Sequence, residues 1–168
     1  MPALPEDLFS CLEGLEIQTA TYTHAPVYTV NEAKAVRGGL PGGHSKNLFL
    51  KDKKGALWLV VAEEDLAINM KGLRRSIGAA QLSFGRPELL LETLGIEPGS
   101  VTPFAVINDH ERLVTAVLDS ALLTYDPLNF HPLTNAATTS ISPDDLIAFL
   151  RAEGHDPLIL DLSTTAPE

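Results

Sequence analysis

The 168-residue chain carries 12 lysines and arginines against 22 aspartates and glutamates, a formal charge of −10, and a single cysteine, Cys11. Its length suits one domain spanning residues 1–168; no apolar run approaches the ~18 residues of a membrane span, no basic-then-apolar leader opens the chain, and an internal disulfide is excluded, which together point to a cytoplasmic protein. The charge is unevenly spread: Lys34 to Arg86 holds ten basic residues against four acids, and the remainder two against 18, so a uniformly anion-binding surface is excluded and one basic region remains. That region suits either a polyanion approaching from one side or a set of solvated lysines without a partner.

In chain order, Leu4, Leu8, Cys11, Leu12 and Leu15 share one side of a predicted helix, and Ile17–Tyr22 is rich enough in threonine and β-branched residues for a strand. His24-Ala-Pro26 breaks the pattern before a short helix, Thr29–Arg37, capped by Thr29 or Asn31. Gly38–His44 has four glycines and a proline in seven residues. It lacks the Gly-Lys-Ser/Thr ending of a phosphate loop, which leaves a connector or a mobile flap.

The centre of the chain, His44 to Ala62, reads as a β-hairpin turning at Lys53-Lys54-Gly55. A period of two puts Lys46, Leu48 and Leu50 on one face and Asn47, Phe49 and Lys51 on the other. With the leucine face turned to a core, Lys46 stands at its mouth on a rigid strand, a place suited to an anionic or carbonyl-bearing ligand.

Beyond the hairpin, Asn69–Gly78 is predicted helical and presents Lys71, Arg74 and Arg75 on one face. Arg86–Gly95 has proline at its first turn, glycine past its end and Leu90, Leu91 and Leu94 as its apolar stripe. A second Gly/Pro loop, Glu97–Pro103, leads to strands expected at Phe104–Ile107, Leu113–Leu118, Ala121–Tyr125 and Ala136–Ile141. A helix from Ser142 to Gly154 and a strand at Leu158–Leu160 follow. About seven strands and four or five helices without βαβ alternation predict a mixed α/β fold, a sheet or barrel with helices packed outside.

The chemistry is sparse. Five histidines (24, 44, 110, 131, 155) form no His-x-x-x-His and no Cys/His cluster, so no metal and no cofactor is expected. There is no Gly-x-Ser-x-Gly, and Cys11 sits on the apolar side of a helix, so no side chain is marked as a nucleophile. What remains is Lys46, two glycine loops, and His131 between Phe130 and Pro132, a residue open to either a structural or a site role.

Four blocks, Lys46–Asp52, Leu73–Gly78, Leu94–Pro103 and Phe130–Thr138, resemble in order and spacing the YbaK/prolyl-tRNA-synthetase-associated editing-domain family, over about residues 20 to 160. The resemblance implies a YbaK-like, mostly antiparallel sheet or barrel ringed by helices, and hydrolysis of a wrongly attached amino acid from prolyl-tRNA. It implies Lys46 as the characteristic active-site residue, the Gly99 to Pro103 loop beside the scissile ester, and His131 shaping the pocket. Members of the family that act on cysteinyl-tRNA tend to have threonine after the lysine, and the free-standing alanine-editing branch has asparagine; Asn47 resembles the latter. The expected activity is therefore hydrolysis of Ala-tRNA(Pro) in trans, with Lys51, Lys53, Lys54, Lys71, Arg74 and Arg75 engaging the acceptor stem and Pro103 binding substrate beside the ester. The other partner implied is prolyl-tRNA synthetase, in transient association. Alternatives are the same reaction on Cys-tRNA(Pro), a non-catalytic nucleic-acid-binding module, and a small-molecule binder.

Overall fold

A computed structural model describes residues 1–37 and 40–165. The central hairpin is present as β2 (Gly43–Asp52) and β3 (Leu57–Glu63), antiparallel from Ser45 opposite Glu63 to Lys51 opposite Leu57. Gly55 turns the chain at φ 88, and the buried Asp52 carboxylate closes the turn by accepting the backbone N–H groups of Lys54, Ala56 and Ala80. Burial pushes the Asp52 pKa up, but these backbone donors outweigh it and hold the carboxyl below its ordinary value.

Around the hairpin lie α1 (Pro5–Gly14), β1 (Ala20–Thr23), α2 (Val30–Arg37), α3 (Met70–Ile77), β4 (Leu82–Phe84), α4 (Pro87–Leu94), β5 (Val114–Asp119), β6 (Leu128–Phe130), β7 (Ala137–Ile141), α5 (Pro143–Ala152) and β8 (Leu158–Leu160). The strand order is β1-β7-β6-β2-β3-β5-β8, with β4 also paired to β2. Of these seven pairings β1/β7, β2/β3, β2/β4 and β6/β7 are antiparallel, while β2/β6, β3/β5 and β5/β8 are parallel. The mixed, mostly antiparallel sheet expected from the sequence is thus the observed one, with eight strands.

The central strands are apolar on both faces because both are covered. Phe49, Leu57, Leu59 and Val61 join a core with Leu8 and Leu12 of α1, Leu90 and Leu94 of α4, Phe104, and Phe149 of α5. Leu50, Val60 and Ala62 pack on the opposite side against Leu73 and Ile77 of α3, Leu82 and Leu162. Helix ends follow the expected chemistry. Asn69 Oδ1 accepts from Gly72 N, Gly78 closes α3 at φ 70, Ser142 Oγ accepts from Asp145 N, and Thr29 Oγ1 accepts from Glu32 N, which makes Thr29 the cap of α2.

Several expectations need correction. Phe104–Ile107 is a 3-10 helix, Pro103–Asn108, entered through Thr102, whose hydroxyl accepts from Phe104 N. Its first four residues are all buried, and an apolar run buried on every side has no periodicity to separate helix from strand. Ala121–Tyr125 holds a 3-10 turn, Leu122–Thr124. Strands β4 and β6, three residues each, are too short to show a period of two in the sequence. In α4 the buried stripe is Leu90, Thr93 and Leu94, and Leu91 faces solvent; in α1, Leu8 and Leu12 are buried and Leu4 and Leu15 are exposed.

Two polar contacts lie inside this packing. Cys11 Sγ donates to Glu153 Oε1 at 3.2 Å, tying α1 to the end of α5. His155 and Asp109 form a buried pair at 2.8 Å, with the carboxylate also accepting from Leu113 N and Val114 N at the start of β5. Removing the imidazole takes one hydrogen bond from a buried carboxylate, which keeps two backbone donors, and leaves a void where the ring packed. His155→Ala should therefore cost about 2 kcal/mol of unfolding free energy in a denaturant titration; an unchanged midpoint would show that the pair carries no stability.

Candidate active site

The outer edge of β2 is shared between two strands. β6 pairs with it at Gly43 and His44, and β4 pairs with it from Leu50 to Asp52. Among the described residues no strand pairs with residues 45–49 on that edge, where the Phe49 carbonyl alone is met, by Gly85 N. A cavity of about 350 Å³ opens there, walled by β2, the end of β6, α2, the segment after β1 and the loop after α4. A strand edge with unpaired backbone and a concave apolar floor is a site where a ligand can replace the missing partner.

Lys46 lines the cavity, half-buried, and its ammonium donates to the Leu66 carbonyl in the loop following β3. An ammonium has three donors, so two remain for a ligand. The same loop is bound to α2 through Lys34 Nζ and Asp65 Oδ1 at 2.6 Å, an exposed pair of small energetic worth. Asn47 also lines the cavity; its Nδ2 donates to Ser45 Oγ at 3.2 Å, whereas its Oδ1 is buried without a partner among the described residues.

His131 sits beyond the end of β6 and lines the same cavity. Its Nδ1 lies 3.0 Å from the Ala137 carbonyl, which can only accept, so Nδ1 carries the proton. Burial pushes the ring's pKa below the ordinary value of 6.5, the Ala137 carbonyl opposes this, and neighbouring His24 adds to it. The ring is neutral at pH 7 and keeps a lone pair on Nε2. His24, with its ring centroid 6.4 Å from that of His131, donates from Nδ1 to the Ala25 carbonyl, and its Nε2 meets Thr138 Oγ1 at 2.8 Å.

Gly99 forms part of the opposite wall in a short 3-10 turn, Pro98–Ser100. A Cβ there would lie 3.0 Å from Tyr28 Cδ1 and 3.2 Å from Asn135 Nδ2, so a larger residue would press on both side chains. Asn129 closes the inner end: its Nδ2 donates to the Pro41 and Gly43 carbonyls and its Oδ1 accepts from Ser140 Oγ at 2.6 Å. Of the expected flap, Gly38 and Gly39 lie outside the described residues. Leu40 to His44 is tied down, with His44 Nε2 donating to the Leu40 carbonyl at 3.0 Å.

Lys46, Asn47, Gly99 and His131 are thus brought together, and the other expected residues are not. Lys51 is exposed and turns to the face opposite Lys46, while Lys71, Arg74 and Arg75 are exposed on α3 and do not line the cavity. Pro103 is a correction: it is buried at the first turn of its 3-10 helix, and the loop reaches the cavity through Pro98, Gly99 and Val101 instead. His24, Tyr28, Asn129 and Thr138 were missed. No local signal marks them; pairing of β1 with β7, which sets Tyr22 beside Thr138, brings His24 to its partner across 114 positions. Among the described residues, Glu63, Glu64 and Asp65 have ligand atoms within 4.8 Å of one another, but Asp65 already accepts from Lys34 and Glu63 from Asp65 N.

Residues 24–149, which span every cavity residue named above, match the family model described as the aminoacyl-tRNA editing domain. The chain belongs to the aminoacyl-tRNA editing domain family. Within it, the editing domain is 42% identical over 159 residues to the Danio rerio protein named prolyl-tRNA synthetase associated domain-containing protein 1, covering 94% of this chain and 86% of that one. It is 37% identical over 145 residues to the prolyl-tRNA editing protein ProX of Acetoanaerobium sticklandii, covering 86% and 88%. The fold also superposes, with TM-score 0.71 and 22% identity over 96% of this chain and 98% of the other, on a crystal structure described as "a putative trans-editing enzyme for prolyl tRNA synthetase".

A neutral His131 has a measurable consequence. Because its folded pKa is depressed below 6.5, the unfolded chain binds the extra proton first, so this group's contribution to stability is complete above that value and falls away as pH drops through the depressed pKa. NMR titration of the His131 ring should give a midpoint below 6.5; a midpoint at or above it would place a charged ring in the cavity wall.

Proposed function

We propose that this editing domain is a trans-acting deacylase that hydrolyses mischarged Ala-tRNA(Pro), guarding proline codons against alanine. The observation that carries the reading is the meeting of Lys46, Asn47, Gly99 and His131, from three separate segments, on one cavity at the outer edge of β2. Membership of the editing family supports the reaction class, and likeness to a prolyl-tRNA editing protein supports prolyl-tRNA as the substrate. Asn47 after the lysine supports alanine over cysteine. Such an enzyme would act in the cytoplasm where tRNA(Pro) is charged, in transient association with prolyl-tRNA synthetase.

The chemistry asked of the site is modest, because an aminoacyl ester is already activated and needs positioning and charge stabilisation more than a covalent partner. Lys46 directs its two remaining donors at the terminal phosphate or ribose. A backbone N–H beside Gly99 faces the ester carbonyl, where negative charge develops. The neutral His131 offers Nε2 as an acceptor to the ribose hydroxyl or the attacking water. Water adds to the carbonyl carbon, the bond to the ribose oxygen breaks, that oxygen takes up a proton, and alanine leaves. Bulk can be excluded by the walls, but a missing methylene changes binding by only ~1–3 kcal/mol, so glycine and serine should be discriminated weakly.

Purified protein assayed against Ala-, Cys-, Ser- and Pro-tRNA(Pro) should deacylate the alanyl ester fastest and spare the prolyl ester; a faster reaction on Cys-tRNA(Pro) would transfer the assignment to cysteine editing. Lys46→Ala should lower deacylation by at least about 100-fold with an unchanged thermal midpoint. Wild-type rates on Ala-tRNA(Pro) in that variant would sink the scheme.

Exposed Lys71, Arg74 and Arg75 are the cations available for the acceptor stem. KM should therefore rise steeply with salt, and neutralising Arg74 and Arg75 together should flatten the slope of log KM against log salt by about two phosphate contacts. An unaltered slope would move the docking face elsewhere.

A further inference from the structure

Five of the six phenylalanines are buried or half-buried; Phe84 is 63% exposed. Among the described residues it is the single exposed large apolar side chain in the basic stretch from Lys34 to Arg86. Its position is built rather than incidental. β4 holds Phe84 opposite Leu50, and Gly85 N donates to the Phe49 carbonyl at 2.9 Å. A Cβ on Gly85 would lie 2.3 Å from the Phe49 ring, so glycine lets the chain lie flat against the core and leaves Phe84 standing free. The other end of β4 is fixed by Asp52, which accepts from Ala80 N, and by Lys53 N donating to the Gln81 carbonyl.

Residues paired across strands share a face, so Phe84 stands on the same face as Leu50, Leu48 and Lys46. Leu48 and Lys46 line the cavity. Its Cα is therefore about 7 Å along β2 and about 5 Å across the sheet from that of Leu48 at the cavity rim. The same face is covered by α3, which carries Lys71, Arg74 and Arg75, and Arg86 follows two residues after Phe84. None of these four cations forms an ion pair among the described residues. A solitary flat ring on the sheet face that α3 covers, in the basic stretch of the chain, offers too little apolar area for a protein partner, and it has the make-up of a platform for an unpaired base with its phosphates.

We propose that Phe84 stacks on an unpaired base of the tRNA 3′ strand, one step inward from the esterified terminal nucleotide in the cavity, with Arg86 and the α3 cations holding the adjoining phosphates. This rests on the deacylase reading for the identity of the RNA. Stacking acts on binding and not on the chemical step, and it tolerates base identity because every base has a flat face.

The test compares Phe84→Ala and Phe84→Trp with the parent. Phe84→Ala should raise KM for Ala-tRNA(Pro) about 10-fold, leave kcat and the thermal midpoint unchanged, and keep the salt slope, whereas Arg86→Ala should reduce that slope. Phe84→Trp should retain the parent KM. Its fluorescence, beyond any change shown by the parent's Trp58, should be quenched by an RNA hairpin with an unpaired 3′ tail and not by the same hairpin with a blunt end. A KM within twofold of the parent in Phe84→Ala overturns the proposal, as does equal quenching by the blunt hairpin, or concentration-dependent self-association that Phe84→Ala abolishes. Tail-dependent quenching without deacylation of any substrate would remove the deacylase reading and keep the stacking surface; deacylation with an unaltered KM would do the reverse.

Discussion

The site depends on how β2 divides its outer edge. A ten-residue strand meets β6 in parallel at one end and β4 antiparallel at the other, and both partners are only three residues long. Strands running in opposite senses cannot merge into one continuous neighbour, so a gap between them is a consequence of topology. The gap is held open because each partner is separately anchored, β6 through Asn129 and β4 through Asp52. The cavity is therefore a feature of the rigid sheet, and its side chains are positioned by strand register.

That placement sets the electrostatics. Lys46 is the cation on the cavity floor, and its bond to the Leu66 carbonyl orients the ammonium without neutralising it. Opposite it, His131 is kept uncharged by burial and by its histidine neighbour, so the wall adds a lone pair and not a second positive charge. An aminoacyl ester of the proposed kind would meet one lysine and a neutral imidazole acceptor in a half-enclosed space. No nucleophilic side chain is needed for such a substrate, in keeping with a thiol at Cys11 that is remote from the cavity and engaged with Glu153.

The hairpin, the caps of α2, α3 and α5, and the lysine at the mouth of a core were legible because each has a local cause: alternation, a side-chain oxygen at a helix start, a glycine at positive φ. What could not be read has a nonlocal cause. The parallel contact of β6 with β2 joins segments more than 80 residues apart, and it alone explains why Asn129 matters. The Pro103–Asn108 segment was misread as a strand because burial on every side erases periodicity. Lys51 was grouped with the α3 cations by charge, although period two places it on the other side of the sheet from Lys46. Phe84 passed unnoticed because a single exposed aromatic residue has no pattern; only the fit of Gly85 against Phe49 shows that its exposure is imposed.

The pairing of Cys11 with Glu153 has a practical corollary. Burial first, and then the adjacent carboxylate as bond acceptor and as negative charge, push the thiol pKa up to about 11. The thiolate, the form that reacts with common alkylating reagents, is therefore strongly disfavoured at neutral pH. Cys11 should react slowly. A cysteine introduced on the surface should accept a spectroscopic label selectively, so distances across the cavity mouth can be followed in solution without first removing the native residue.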